Sequence, residues 1–211
     1  MTEAPSYTDI DTLADRLRDV PYESILRTIG RVAERKGIEA YAVGGMVRDV
    51  LLGRSTTDLD FVTVGPGTGI ALAEAVGEEL GGRTAHVYPK FGTAAIRIPA
   101  EEALPDGHPD DALVLEFVAA RTESYRSDSR KPIVEDGTLE DDQYRRDFTV
   151  NAMAIHLTPD RFGELIDPLD GRRDLERRTI DTPLDPEDTF EDDPLRMIRA
   201  ARFATQLEFR V

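Results

Sequence analysis

A chain of 211 residues is long enough for one medium domain with a real core and the start of a second, and its 40% apolar and 32% charged content excludes wholesale disorder. Cysteine is absent, which removes disulfides, thiolate zinc sites and a cysteine nucleophile together. The formal charge of −16 excludes a surface that grips nucleic acid everywhere, so any contact with phosphate must be local. Lysine occurs only at Lys36, Lys90 and Lys131, the other basic residues being arginine, a balance that suits either a salt-rich cytoplasm or a GC-rich genome. Met1-Thr2-Glu3-Ala4-Pro5 offers no basic region before an apolar run, and nothing approaches the roughly 20 apolar residues of a membrane span. A cytoplasmic protein with no membrane partner is expected.

In chain order, the periodicity predicts helices over residues 8–18 (Ile10, Leu13 and Leu17 on one face) and 22–36 (Ile25, Ile29 and Val32). A short apolar strand at residues 40–43 ends in Gly44-Gly45, which opens a helix carrying Met46, Val47, Val50, Leu51 and Leu52. A second strand runs over 58–64, Gly65-Pro66-Gly67 ends it, and an alanine-rich helix covers 69–80. Further strands are expected at 84–88, 93–98 and 112–119. The stretch from Arg121 to Asp142 is polar without a period and reads as a mobile loop with a local basic cluster, Arg126, Arg130 and Lys131. A helix over 145–157, a short strand at 164–166 and a final helix from about Asp193 to Ala204 complete a mixed α/β fold.

The sharpest chemical feature is Asp58-Leu59-Asp60, whose two acids share one face of the second strand. Two adjacent carboxylates repel, and Mg²⁺, a hard ion that shares its coordination between carboxylates and substrate phosphates, suits them. Two solvated acids at a strand edge would look the same in isolation. Gly44 and Gly45 let backbone N–H groups at a helix start approach an anion, with Arg48 one turn inside; a plain tight turn is the other reading. Glu116, inside the apolar run 113–118, is either a third metal ligand or an acid at a strand edge or in a salt bridge.

The stretch from Val43 to Gly53 followed by Asp58-Leu59-Asp60 resembles the first motif of class II tRNA nucleotidyltransferases and bacterial poly(A) polymerases. Arg145-Arg146-Asp147-Phe148-Thr149-Val150-Asn151 is similar to the second motif, Asp167-Pro168-Leu169-Asp170-Gly171 to the third, and Asp193-Pro194-Leu195-Arg196 with Arg199 and Arg202 to the fourth and fifth. The resemblance implies N-terminal helices (1–37), a palm-type α/β (α+β) head with a small mixed sheet (38–188), and the start of an all-helical neck (189–211). It implies that Gly44, Gly45, Arg48, Arg145, Arg146, Asp147, Asn151, Asp193, Arg196, Arg199 and Arg202 bind the nucleotide. Asp58 and Asp60, with Glu116 as a third candidate, would hold Mg²⁺ in a two-metal site. The implied substrates are ATP and CTP, and the implied partner is the 3′ end of tRNA.

Asp193 and Arg196, three residues apart, could present an acceptor and a forked donor to a base edge, although an ordinary ion pair fits that spacing too. Two departures stand out: Asp192-Asp193 replaces the family's Glu-Asp, and the body and tail that follow the neck in the family are expected beyond Val211. Pro89-Lys90-Phe91-Gly92-Thr93 is closer to the tRNA enzymes than to the poly(A) polymerases. A switch between cytosine and adenine, or merely a disordered surface, is expected of the basic loop.

Overall fold

The structure, a computed structural model, describes residues 13–54, 56–104, 111–126 and 129–211, with backbone alone for those between 122 and 135. Ile10, with the first part of the first expected helix, and the side chains of Arg126, Arg130 and Lys131 lie outside the described residues. The elements are α1 (Ala14–Leu17), α2 (Glu23–Lys36), β1 (Ala40–Val43), α3 (Gly45–Leu51), β2 (Asp58–Thr63), α4 (Thr68–Glu79), β3 (His86–Tyr88), β4 (Thr93–Pro99), α5 (Ala100–Ala103) and β5 (Ala112–Ala119). Then come β6 (Arg121–Arg126), β7 (Ser129–Asp136), α6 (Leu139–Tyr144), β8 (Ala154–His156), β9 (Leu165–Ile166), α7 (Gly171–Arg177), α8 (Pro186–Asp192) and α9 (Leu195–Leu207). Among the described residues no helix is long and apolar enough to cross a membrane.

Seven strands form one mixed sheet in the order β3-β4-β5-β2-β1-β8-β9, in which β2 and β5 are parallel and every other pair is antiparallel. One face is closed by helices. Leu59 and Phe61 of β2 and Leu113, Leu115 and Phe117 of β5 point into a core shared with Ile25, Leu26, Ile29 and Val32 of α2, Met46 and Val47 of α3, and Leu72 and Val76 of α4. The α9 helix joins the same core through Ala200, Phe203 and Leu207. The opposite face has only a small apolar cluster, Tyr41, Val43, Val62, Ala120 and Ala154, which leaves it free for polar chemistry. Each side chain on this face alternates with a core residue, because a strand repeats every two residues.

Two expectations are corrected. The stretch 121–142 is a hairpin, β6 paired with β7 from Arg121↔Asp136 to Arg126↔Ser129, followed by α6. Apart from Tyr125 and Pro132-Ile133-Val134 its sequence is polar, so no apolar alternation announces it. The α6 helix is likewise polar, and starts at a Thr138 whose side chain accepts from the Asp141 N–H while the Asp141 carboxylate accepts from Thr138 N–H. The helix expected over 145–157 is a 3₁₀ turn at Thr149–Asn151 followed by β8. Val150 and Ala152–Leu157 are all buried, and a mostly apolar buried run reads equally as helix or buried strand until a partner strand, here β1, is known. The short helices α7 and α8 have no counterpart among the sequence expectations.

The α2 helix lies so close to the chain after β8 that a Cβ on Gly30 would fall 1.9 Å from the Leu157 carbonyl oxygen. Gly30→Ala should therefore lower the free energy of unfolding by roughly 1–3 kcal/mol through overpacking, measured by urea denaturation. Unchanged stability would mean that α2 does not pack there.

Candidate active site

The acids lie in a row across the sheet. Strand register sets Ala154, Val43, Asp60, Glu116 and Ala95 side by side on β8, β1, β2, β5 and β4, all on the face away from the main core. Adjacent strands are about 4.8 Å apart, so Asp60 and Glu116 are immediate like-charged neighbours, and Asp58 follows on the same face of β2. Burial first, and then Glu116 and Asp58, push the Asp60 carboxyl above its ordinary value, against the lowering pull of Arg146. A cleft of about 160 Å³ opens here, lined by Val43, Asp60, Thr93, Glu116, Arg121, Arg145 and Arg146 among others.

Gly44 stands against two of the residues that line this cleft. Its φ of 76° and ψ of −138° lie where only glycine is at ease, and a Cβ there would stand 3.1 Å from Arg146 Nη1 and 3.4 Å from Asp60 Oδ2. Gly45 has ordinary room, its virtual Cβ meeting Arg48 Nη2 at 3.4 Å, so Gly44 is the position that excludes every other residue. Arg146 is fixed by a residue that the motifs did not include, Asp142, whose side chain is 0% exposed. The Asp142 carboxylate accepts from Arg146 Nε at 3.1 Å and Nη2 at 2.8 Å, and from Arg145 Nη2. Burial pushes this carboxyl up, but Arg146 and Arg145 outweigh it and hold it below the usual range.

Arg48 does not face open space. It is 5% exposed, forked onto Asp49 at 2.9 Å through both Nε and Nη2, and its Nη1 donates to Asn151 Oδ1 at 2.7 Å. Asn151 in turn donates through Nδ2 to Asp147 Oδ1, and its carbonyl accepts from Arg146 Nη1 at 3.3 Å, so this one buried amide joins the glycine-turn helix to the second motif. Asp147 Oδ2 then accepts from Arg199 at 2.6–2.7 Å, and Arg196 Nη2 donates to the Arg145 carbonyl at 2.7 Å, which ties α9 to the same motif. Arg48, Arg199 and Arg202 each lie about 5 Å from the Phe203 ring.

Asp193 and Arg196 are not an ion pair. Asp193 Oδ1 accepts from the Leu195 N–H, while Arg196 turns to Arg145. The third motif acts from behind the site: Asp167 accepts from the N–H groups of Gly171 and Arg172, and a Cβ on Gly171 would meet the Thr149 carbonyl oxygen at 2.3 Å. It braces the Thr149–Asn151 turn and touches no part of the cleft.

The structure thus gathers Asp60, Glu116, Arg145 and Arg146 at the cleft, with Gly44 against Asp60 and Arg146 and Asp58 two residues along β2, joins Arg48, Asp147 and Asn151 to Arg146 by hydrogen bonds, and sets Asp193, Arg196, Arg199 and Arg202 on the flank. Among the described residues no group of three or more His, Cys, Asp or Glu side chains is gathered to hold a metal ion. The oxygen donors of Asp58 and Asp60 nevertheless fit Mg²⁺, which takes one or two carboxylates and fills its shell with water and phosphate. A cation there would offset the burial, and the repulsion from Glu116 and Asp58, that together raise Asp60.

A pair of strand aspartates behind a glycine turn, under an anchored guanidinium, defines the nucleotidyltransferase class of fold. A model of the poly(A) polymerase head domain matches residues 40–181. An A-adding tRNA nucleotidyltransferase from Aquifex aeolicus is 41% identical over 174 residues, 82% of this chain and 19% of that protein. A CCA-adding enzyme from Bacillus pumilus is 40% identical over 177 residues, 83% of this chain and 38% of that one. A solved tRNA nucleotidyltransferase complexed with a primer tRNA and an incoming ATP analog superposes with a TM-score of 0.69 at 38% identity, over 86% of this chain and 46% of that chain. The chain belongs to the poly(A) polymerase head-domain family, and spans less than half the length of these relatives.

Asp142→Asn should cost stability near the lower end of the roughly 3–5 kcal/mol of a broken buried ion pair, since both arginines keep some access to water. Because the folded carboxyl lies below its unfolded value of about 3.9, the contribution is complete above that value and fades as the pH falls through the folded one. Urea titrations should show the full difference at pH 7 and a shrinking one below about pH 4. A difference independent of pH would refute the charged clamp.

Proposed function

We propose that this chain is the catalytic head of a template-independent tRNA nucleotidyltransferase that transfers CMP and AMP from CTP and ATP to an RNA 3′ end. The observation that carries the reading is the half-buried Asp60, adjacent to Asp58 and Glu116 and overhung by Arg146. Aspartates in that setting are costly to a fold that makes no use of them.

In the proposed reaction the 3′-hydroxyl oxygen attacks the α-phosphorus of the nucleotide, its proton passes to water, and the bond to the bridging oxygen breaks so that pyrophosphate leaves with the electron pair. Mg²⁺, held by Asp58 and Asp60 with a second ion on the triphosphate, would supply the charge that acidifies the hydroxyl and neutralises the leaving group. Glu116 is the candidate third ligand. The Gly44-Gly45 turn lets the triphosphate come close to backbone N–H groups, and Arg145 and Arg146, fixed by Asp142, hold its anionic oxygens. Arg48, Asn151 and Asp147 keep that turn and the second motif in register. Arg199 and Arg202 would hold the nucleotide from the α9 side.

Asp193 keeps one carboxylate oxygen for a base amino group, and Arg196 has further donors after its bond to Arg145, so the two suit a cytosine or adenine edge. In this reading residues 38–188 are the head, 189–211 begin the neck, and the protein works in the cytoplasm. The relatives' different products, A alone or CCA, leave the bases added here to experiment, and the poly(A) polymerase name of the family model supports a second reading with the same chemistry.

Labelled CTP and ATP, separately and together, should be incorporated with Mg²⁺ into tRNA lacking its 3′ CCA. Asp58→Ala and Asp60→Ala should each lower incorporation about a thousandfold or more, as expected where metal stabilisation is worth several kcal/mol. Addition that stops after C, C and A supports the tRNA enzyme, and long A tails support the polymerase. Incorporation that survives both alanine variants would sink the metal assignment, and nucleotide binding without metal-dependent incorporation would favour a non-catalytic module.

A further inference from the structure

At the end of α3 opposite the glycine turn lies a second cavity, of about 350 Å³, lined by Arg16, Asp19, Tyr22, Gly53 and Arg54 among others, none of which lines the cleft with the acids. Tyr22 is 0% exposed, and among the described residues its hydroxyl has no hydrogen-bond partner. The fold gives that hydroxyl nothing to do. The carbonyls of Arg48, Asp49, Val50 and Leu51, the last of α3, already accept from Leu52, Arg54, Gly53 and Arg16, and both carboxylate oxygens of Asp49 accept from Arg48. Burial, and then the charge of Asp49, push the Tyr22 phenol up to about 12, so it stays protonated and can only be satisfied by an acceptor. The 14-residue helix α2 begins beside it, with Tyr22 as N-cap and no side chain on its first N–H groups. The exposed Arg54 makes no side-chain hydrogen bond or ion pair among the described residues.

We propose that this cavity is a binding site for a protonated phosphate, as inorganic phosphate or a small phosphomonoester, held by Arg54, Arg16 and the Tyr22 hydroxyl. Two guanidinium groups, a positive helix end and an unspent donor all favour an oxyanion. Asp19 selects which one. A carboxylate only accepts, so it repels a fully deprotonated oxyanion such as sulfate and bonds the proton that phosphate keeps near neutral pH. The cavity is larger than a bare phosphate ion and has room for the organic part of an ester. Arg16 already grips the last carbonyl of α3, and Arg54 stands shortly before Asp58, so a ligand on both fastens the helix of the glycine turn to the strand of the acids. The site lies outside the nucleotide machinery proposed above and stands or falls without it.

The test is equilibrium dialysis of the full-length protein near neutral pH, without Mg²⁺, against labelled inorganic phosphate, glycerol phosphate and sulfate. The wild type should bind phosphate or its ester at least about tenfold more tightly than sulfate, as one bond to a charged group made or lost implies. Tighter binding of either phosphate source upholds the site and names the source. Arg54→Gln, a change at an exposed residue, should weaken phosphate about tenfold or more. Tyr22→Phe keeps the buried ring and should weaken it about threefold, with thermal melting confirming that the variant is folded. Asp19→Asn should raise the affinity for sulfate towards that for phosphate. Phosphate affinity unchanged in both Arg54→Gln and Tyr22→Phe would put the ion elsewhere and overturn the site. Sulfate bound by the wild type as tightly as phosphate overturns the role of Asp19 and with it the protonated ligand. No binding of either phosphate means that water meets the Tyr22 hydroxyl, which also overturns the proposal.

Discussion

Like charge on one face of a sheet is the constraint around which this molecule is arranged. Asp60 sits in the middle of the sheet, with Glu116 directly across the β2–β5 ladder and Asp58 two residues along. Nothing on the core side can neutralise it, since alternate residues of both strands are Leu and Phe in the main core. The compensation comes from the other face. Small or branched neighbours, Val43, Ala154 and Ala95, keep the row open, and Gly44 lets Arg146 Nη1 stand 3.1 Å from where a Cβ would be. Arg146 would lose its position to solvent without Asp142, so a buried carboxylate on a different element sets the electrostatics at Asp60.

The same economy links the motifs. Asn151 spends its side-chain oxygen on Arg48, its amide on Asp147 and its carbonyl on Arg146, so the glycine turn and the second motif cannot move independently. Asp147 and the Arg145 carbonyl then fasten α9 through Arg199 and Arg196. A helix held by charge-assisted bonds to water-accessible groups, and by Phe203 edge-on to Phe148, is anchored firmly at its core face and adjustably at its rim. At the Asp193–Arg196 end Leu195, Met197 and Ile198 are exposed.

Several of these relations were visible in the chain and several were not. Asp142 lies three and four residues before Arg145 and Arg146, the spacing of helical neighbours, so its partnership was available once α6 was recognised. The helix itself is hard to read from sequence, because Leu139–Tyr144 has Leu139 as its one aliphatic residue and shows no amphipathic stripe. Asp49 beside Arg48 carried no signal, since adjacent residues on a helix rarely face one another. The exposure of Phe91 is a property of the folded surface and leaves no local pattern in the sequence.

The sequence by itself determined the α/β class, most of the strands, the buried face of α2, the glycine turn and the carboxylate pair, all of which depend on local periodicity or on neighbouring residues. Tertiary structure alone decided that residues 154–156 form a strand, that 121–136 form a hairpin, that Glu116 stands opposite Asp60, and that Arg48 is an internal brace. Each of these depends on partners up to about a hundred residues away, and a buried apolar run or a polar strand carries the same local pattern whichever partner it finds.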